Sequence, residues 1–176
     1  MNIGYAELES PIGIISAAVH DGALCGLKFG EERQSIHQVI ARRFGEVELV
    51  RLPKSHAIMT HLRHYFDGDI AAIEQIAVDA AGTDFQQRVW AQLRRVPAGA
   101  TASYGDVAAA IGSPAAVRAV GTANGANPVA IVLPCHRVVR TGGALGGYGG
   151  GLDRKRWLLE HERTHTAATG GVRAVA

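Results

Sequence analysis

Hydrophobic and polar residues alternate loosely over residues 3–8, and this period of two predicts a first strand. The best-defined turn is Asp21-Gly22, which lies between two apolar runs. Both positions of such a tight turn need a positive φ, which Asp and Gly tolerate, so the dipeptide predicts a hairpin. The predicted strands cover residues 3–8, 14–19, 23–29 and 47–50.

Apolar residues recur every three or four positions in other stretches, which predicts amphipathic helices. Two capping patterns mark where helices begin. Thr83 and Gln86 form a capping box, and Ser113 is an N-cap followed by Pro114 at the first helical position. The predicted helices cover residues 35–44, 55–66, 83–96, 103–111, 114–124 and 153–162.

A run of branched apolar residues at 129–133 predicts a short buried strand, which Pro134 ends. Cys135, His136 and Arg137 follow at once. A thiol held in a turn beside two cationic groups can be stabilised as a thiolate, so this order of residues favours a reactive cysteine. A small buried packing residue is the alternative that an isolated Cys-His pair would favour.

The composition of the 176-residue chain, 47% hydrophobic, is that of a soluble globular protein. No stretch approaches the roughly 20 apolar residues of a membrane span, and the N-terminus has no secretory pattern. Two cysteines, Cys25 and Cys135, are too few for a disulfide framework, which favours a cytoplasmic protein. We interpret Cys25 as a packing residue of the third strand.

Composition and charge divide the chain at Ala80-Ala81-Gly82. We expect an α/β structural domain over 1–80, a mainly α second domain with short strands over 83–163, and a disordered tail over 164–176. Residues 1–82 carry a net charge of −4, whereas residues 83–163 carry +5. A basic second half suggests that this half meets a polyanion, although ordinary solvated surfaces show such imbalances too.

The predicted helices 103–111 and 114–124 are joined by a tight turn and favour a helix-turn-helix. The second helix carries mostly small side chains around Arg118. Such a helix can approach a nucleic-acid backbone closely in a minor groove, with the arginine reaching into the base stack. A helix packed on the core with a solvated arginine is the alternative. The small residues of this surface are Ala116, Ala119 and Gly121.

Two other groups of residues invite a functional interpretation. Three histidines, His56, His61 and His64, lie on one predicted helix, but no cysteine or carboxylate joins them at a ligand spacing, so we interpret them as solvated rather than metal-binding. The glycine-rich stretch 146–151 lacks the spacing of a phosphate loop and suits a pocket wall, where backbone must approach a flat ligand.

The run Pro134 to Val139 resembles the signature of the O6-alkylguanine-DNA alkyltransferases, also called methylated-DNA–protein-cysteine methyltransferases. The resemblance covers nearly all of residues 83–163, in order and at the family's spacings. It is carried by Phe85-Gln86-Gln87-Arg88-Val89-Trp90, Ser103-Tyr104-Gly105, Arg118-Ala119-Val120-Gly121, Asn127-Pro128, Pro134 to Val139, Gly147 to Gly151, and Trp157 to Glu162. The N-terminal region resembles the family's ribonuclease-H-like domain only loosely.

This resemblance implies a set of catalytic residues. Cys135 would take the alkyl group from O6 of guanine, His136 would act as base through a water, and Glu162 would orient the imidazole. Asn127 would brace the cysteine turn. No cofactor and no metal are implied.

The resemblance also implies binding residues. Tyr104 and Lys155 would assist departure of the guanine, and Arg118 would fill the stack vacated by the flipped base. The base pocket would further include Val138, Tyr148 and Gly149, and the DNA-binding helix would contribute Ala116, Ala119 and Gly121.

The implied function is DNA repair by direct, single-turnover alkyl transfer from O6-alkylguanine, and from O4-alkylthymine, in double-stranded DNA bound through its minor groove. The expected protein is a monomer, able to load cooperatively on DNA, with no membrane partner. The residues leave three alternatives: a helix-turn-helix regulator, a lesion-binding protein without transfer, and a Cys-His hydrolase. The chain has no room for the zinc domain of a bifunctional relative, and it keeps the cysteine that lesion-binding relatives have lost.

Overall fold

The computed structural model describes residues 1–30 and 33–167. The fold is mixed α/β. Its strands are β1 (Asn2–Ser10), β2 (Gly13–His20), β3 (Ala23–Phe29), β4 (Glu48–Arg51), β5 (Ala102–Ser103) and β6 (Val138–Val139). Its α-helices are α1 (Arg33–Phe44), α2 (Ala57–Phe66), α3 (Asp84–Leu93), α4 (Tyr104–Ala110), α5 (Val117–Gly125) and α6 (Leu152–Ala167), and two 3-10 helices span Ile70–Gln75 and Cys135–Arg137.

The chain forms two compact units. The first contains Met1–Ala81 together with Pro128–Val132, and the second contains Gly82–Asn127 together with the described residues from Leu133 onward. The short inserted segment joins the first unit through β3, because the backbone N–H of Leu27 donates to the Pro128 carbonyl at 2.9 Å. The second unit is therefore discontinuous in sequence.

The first unit is a four-stranded sheet in the order β3-β2-β1-β4. β1, β2 and β3 are antiparallel neighbours, and β4 pairs parallel to β1. The hairpin at Asp21-Gly22 is confirmed, with φ of 47° and 78° at its two turn residues. The other strands and helices predicted for this unit also form, with bounds that differ by a few residues.

One side of this sheet buries its apolar residues against α1. The cluster contains Ile3, Tyr5, Ala18, Cys25, Ile36 and Ile40. Cys25 is 3% exposed, and its thiol lies 3.4 Å from the Ala18 carbonyl. Burial raises the pKa of Cys25 to about 11, because a thiolate in this core would lose its hydration. The packing role predicted for this cysteine is confirmed.

Two helices of the second unit, α3 and α4, begin where side chains satisfy their first N–H groups. The capping box of Thr83 and Gln86 is confirmed at the start of α3, and Ser103 with Asp106 forms another at α4. The Trp90 indole then donates to the Ala123 carbonyl at 2.9 Å, which ties α3 to α5. The polar edge of this buried aromatic thus finds its partner on the neighbouring helix.

The strand predicted at 129–133 is wrong. Val129 makes a single bridge to Leu27, and the chain then turns through Ala130 to Val132. Ile131 has a φ of +71°, which is unusual for a β-branched residue, and its side chain is fully buried. An apolar run predicts that its residues are buried but does not predict their backbone conformation, and here they are buried in a turn.

Two predicted helix ends are also wrong. α5 begins at Val117 rather than at Pro114, because residues 113–116 form a turn in which Ala116 N–H donates to the Ser113 carbonyl at 2.8 Å. α6 continues to Ala167 rather than ending near Glu162, so residues 164–167 are helical instead of disordered. Thr166 donates its hydroxyl to the Glu162 carbonyl at 2.7 Å within this extension. The rest of the predicted tail lies outside the described residues.

The sequence Thr141-Gly142-Gly143 also predicts a hairpin turn, and this prediction is only partly correct. The turn forms, with Gly143 N–H donating to Arg140 at 2.9 Å and Arg140 N–H donating to Ala144 at 2.7 Å. However, β6 pairs parallel with β5, and no strand follows the turn in the described chain. Glycines allow the turn, but a hairpin also needs a second run that can pair.

Within the described residues, no helix is both long enough and apolar enough to cross a membrane.

Replacing Ser103 with Ala should lower the free energy of unfolding by about 1 kcal/mol, because the Ser103 hydroxyl accepts the N–H of Asp106. Ser113→Ala is the matched control. The sequence predicts the same capping role there, but the structure gives α5 no side-chain cap, so its effect should be near zero. Urea unfolding followed by circular dichroism would compare the two; equal losses would contradict this assignment.

Cys25 should resist thiol reagents in the native protein. With a pKa of about 11, about one Cys25 thiol in a thousand is ionised at pH 8, and its sulfur is buried as well. Iodoacetamide labelling followed by peptide mass analysis should therefore modify Cys25 only after unfolding, or as the pH approaches 11. Rapid native labelling at pH 8 would show that the core opens more readily than the packing indicates.

Candidate active site

Cys135 lies at the start of a one-turn 3-10 helix and is 6% exposed. Two buried amide side chains brace this turn. Asn127 donates to the Leu133 carbonyl at 2.7 Å, and Asn124 donates to the carbonyl of Cys135 itself at 3.3 Å. The Cys135 N–H also donates to Leu133, at 2.7 Å. The backbone that carries the thiol is thus fixed from both sides.

Asn124 was missed from the sequence. It lies near the end of α5, where an asparagine usually marks a helix end or solvent, and only the tertiary fold places it against the cysteine turn. It is buried. The same helix therefore presents Arg118 at its start and holds the cysteine turn at its end.

His136 and Glu162 form a buried pair, as the resemblance implies. His136 Nε2 lies 2.8 Å from Glu162 Oε1, and both side chains are fully buried. Burial alone would raise the pKa of Glu162, but the hydrogen bond from His136 and the hydrogen bonds and charge of Arg137 hold that pKa far below its usual value. An ionised carboxylate can only accept, so His136 donates its Nε2 proton to it.

This assignment fixes what the other imidazole nitrogen can do. In the neutral ring, a proton on Nε2 leaves a lone pair on Nδ1. Nδ1 is buried and makes no hydrogen bond to the described residues. The pair therefore holds a proton acceptor on the residue that immediately follows the thiol.

Arg137 joins the same carboxylate and was missed as a site residue. Its Nε donates to Glu162 Oε2 at 2.8 Å, and its Nη2 donates to Oε1 at 2.9 Å. Its Nη1 reaches the Val96 carbonyl at 2.7 Å. The sequence placed this cation next to the thiol, but its guanidinium faces Glu162. A charged residue within the mostly apolar stretch 129–139 was the signal available.

Lys155 is fully buried and directs its ammonium to backbone carbonyls. Nζ donates to Val138 at 2.6 Å, to Gly147 at 3.3 Å, and to Leu145. Burial lowers the pKa of Lys155 to about 8, and negative charge at Cys135 opposes part of that shift. Lys155 thus joins the glycine-rich stretch to β6.

Two tyrosines, Tyr104 and Tyr148, lie close enough to Cys135 for its negative charge to raise their pKa values. Burial raises the pKa of Tyr148, and the negative charges of Cys135 and Glu162 raise that pKa further. Burial also raises the pKa of Tyr104, again with a contribution from Cys135. A Cβ added at Gly146 would come 3.1 Å from the Tyr104 hydroxyl, so the glycine allows that close approach.

The remaining predicted residues lie on β6, on the loop and on α5. Val138 is buried on β6, and Gly149 is exposed on the loop. Arg118 and Ala119 are exposed on α5, with Ala116 and Gly121 partly exposed beside them. A Cβ at Gly121 would contact the Tyr104 ring at 3.9 Å.

The predicted histidines His56, His61 and His64 belong to the first unit. In the described part of the chain, no group of three or more histidine, cysteine or acidic residues could hold a metal ion.

Known proteins match this chain along nearly its full length. Residues 84–164 match the family model for the DNA-binding domain of 6-O-methylguanine DNA methyltransferase. A methylated-DNA–protein-cysteine methyltransferase of Mycolicibacterium paratuberculosis is 44% identical, over 95% of this chain and 96% of its own. One from Salmonella typhimurium is 52% identical, over 89% and 93%.

Solved structures agree with these relatives. The crystal structure of the Mycobacterium tuberculosis O6-methylguanine methyltransferase has a TM-score of 0.76 at 40% identity and covers 93% of this chain and 94% of its own. A structure of the Mycobacterium tuberculosis OGT in complex with DNA also gives 0.76, at 41% identity, with 92% and 94% covered. With this similarity over nearly the whole length, the chain belongs to the methylated-DNA–protein-cysteine methyltransferase family.

Proposed function

We propose that this protein repairs DNA by moving an alkyl group from O6 of guanine to Cys135, and that each molecule acts once. The observation that carries the proposal is the buried pair of His136 and Glu162, which leaves a proton acceptor on the residue next to the thiol. Family membership supports the same chemistry. O4-alkylthymine is a second substrate by the same reasoning, since its alkyl group is also bound to an exocyclic oxygen.

The transfer is a single nucleophilic displacement at the alkyl carbon. His136 Nδ1 takes the thiol proton through a water, and the sulfur of Cys135 attacks the alkyl carbon from the side opposite O6. The carbon–oxygen bond breaks, its electrons pass to the guanine, and a ring nitrogen takes up a proton. The products are unmodified guanine and a thioether. No ordinary side chain hydrolyses a thioether, so the protein is consumed.

The pocket residues assist departure of the base. Tyr104 is placed near Cys135 and, as a phenol kept protonated by burial, serves as the donor to the guanine. Tyr148, Gly149 and Val138 form the walls of the base site. The three carbonyl contacts of Lys155 favour a role in holding the loop at Gly147, rather than direct contact with guanine.

The DNA is bound through α4 and α5, which act as a helix-turn-helix in the minor groove. The small residues Ala119, which is exposed, and Ala116 and Gly121, which are partly exposed, allow close approach, and Arg118 enters the stack in place of the flipped nucleotide. The protein binds as a monomer that loads cooperatively. The first unit, with its ribonuclease-H-like arrangement, has a structural role and carries none of the proposed catalytic residues.

The direct test is intact-mass measurement after incubation with a duplex that contains O6-methylguanine. One methyl group should be added per molecule, and peptide mapping should place it on Cys135. Cys135→Ser should abolish transfer while DNA binding is retained, because the thiol supplies chemistry and little contact area. Cys25→Ser is the matched control and should react normally. A methyl group on Cys25, or repeated turnover, would contradict the proposal.

Arg118→Ala should slow repair of duplex DNA by about tenfold or more, because holding a nucleotide outside the stack is worth a few kcal/mol. Free O6-benzylguanine needs no flipping, so it should alkylate Cys135 at a near-normal rate. Single-turnover rates on both substrates would measure this difference. A duplex with the lesion opposite a gap should partly rescue the variant.

Arg88→Ala, which removes the same charge from an exposed position on α3, is the control. It should change salt-dependent affinity at most and leave the ratio of the two rates intact. If Arg118→Ala slows the free base and the duplex equally, Arg118 supports the fold instead of the flipped state.

A further inference from the structure

Glu162 is shared by two nitrogen-bearing side chains. His136 Nε2 and Arg137 Nη2 contact the same carboxylate atom, Oε1, at 2.8 and 2.9 Å, and Arg137 Nε occupies Oε2 at 2.8 Å. His136 and Glu162 are fully buried, and Arg137 is 6% exposed. The three side chains therefore form one cluster that is almost wholly removed from water.

The charge of this cluster depends on Arg137. Guanidinium and carboxylate cancel, so a neutral imidazole leaves the cluster without net charge. Without the guanidinium, the carboxylate would be an uncompensated buried charge, which is strongly unfavourable. The nearest remedy is a second proton on His136, and the only ring atom open to it is Nδ1.

We propose that Arg137 is a positioning residue that keeps His136 neutral, so that Nδ1 can accept the proton of Cys135. This inference rests on the proposed function, in which His136 is the base. In this role, Arg137 does not stabilise the thiolate by direct contact. Its donors face Glu162 and the Val96 carbonyl.

The same cluster also suits the state that follows proton transfer. Imidazolium, carboxylate, guanidinium and thiolate again sum to zero, so the proton moves without leaving net charge in the buried site. If the guanidinium were absent, the thiolate would form beside a cluster with no net positive charge. Both steps therefore favour the thiolate only while Arg137 is present.

An arginine suits this position better than a lysine. Its planar fork occupies both carboxylate oxygens and leaves Nη1 for Val96, which fixes the plane of Glu162 and hence the direction of the imidazole. A lysine would supply the charge from a single point.

The test compares wild type with Arg137→Gln by two readouts. Nitrogen NMR of His136 in the free protein should show a neutral ring with its proton on Nε2 in wild type at pH 7, and a doubly protonated ring in the variant. The alkylation rate with free O6-benzylguanine falls at low pH, when His136 is protonated. In the variant, the pH midpoint of this fall should be higher by about one to two units, as expected for loss of a neighbouring charge. The rate should largely recover above that pH.

Arg163→Gln is the matched control. Arg163 makes the same two-pronged contact with Glu160, at 3.0 and 2.7 Å, but on the exposed face of α6. It should leave both readouts unchanged. If Arg137→Gln leaves His136 neutral and slows transfer equally at every pH, Arg137 only supports the fold and the proposal is wrong.

Two further variants keep the test decisive if Arg137→Gln does not fold. Arg137→Lys retains the charge and should keep the pH midpoint within about half a unit. The double variant Arg137→Gln/Glu162→Gln removes the ion pair whole, which buried sites tolerate better than a broken pair, and its His136 should be neutral at pH 7. A doubly protonated His136 in either variant would overturn the proposal. Failure of wild type to gain a methyl group would instead refute the proposed function and leave the NMR comparison valid.

Discussion

The arrangement of the second unit depends on the need to neutralise and hydrogen-bond one carboxylate that has no access to water. Burying an isolated carboxylate would cost several kcal/mol, and this cost is offset only when its oxygens are fully hydrogen-bonded and its charge is matched. Glu162 on α6 meets that condition through two successive residues of the cysteine turn. The requirement therefore fixes the turn against α6, and the position of the thiol follows from it.

In the proposed function, the helix α5 links DNA binding to the chemistry at Cys135. Its exposed face carries Arg118 and the small residues, while Asn124 near its end holds the carbonyl of Cys135. Gly121, between them, approaches the Tyr104 ring. A displacement of α5 on binding DNA would therefore shift its contacts with the cysteine turn and with Tyr104. A regulator that only bound DNA would need neither this connection nor the buried charges beside the thiol.

The sequence predicted what depends on neighbours along the chain. Asp21-Gly22, the capping box at Thr83 and the amphipathic helices were all found, because turn geometry and helix capping act over a few residues. The resemblance supplied the pairing of His136 with Glu162. What escaped were Arg137 and Asn124, whose partners are distant in sequence. The apolar run at 129–133 was mistaken for a strand because hydrophobicity reports burial and not backbone direction.

The insertion of Pro128–Val132 into the first unit affects how the protein reaches its native state. The contact of Leu27 with Pro128 joins segments separated by most of the chain, so closing it costs loop entropy that local contacts must first offset. The nucleophile follows directly after this segment. A fragment beginning at Gly82 would leave Pro128 and Val129 without their contacts to Leu27 on β3. The segment that precedes the reactive turn is therefore completed by the first unit, through a contact that is distant in sequence.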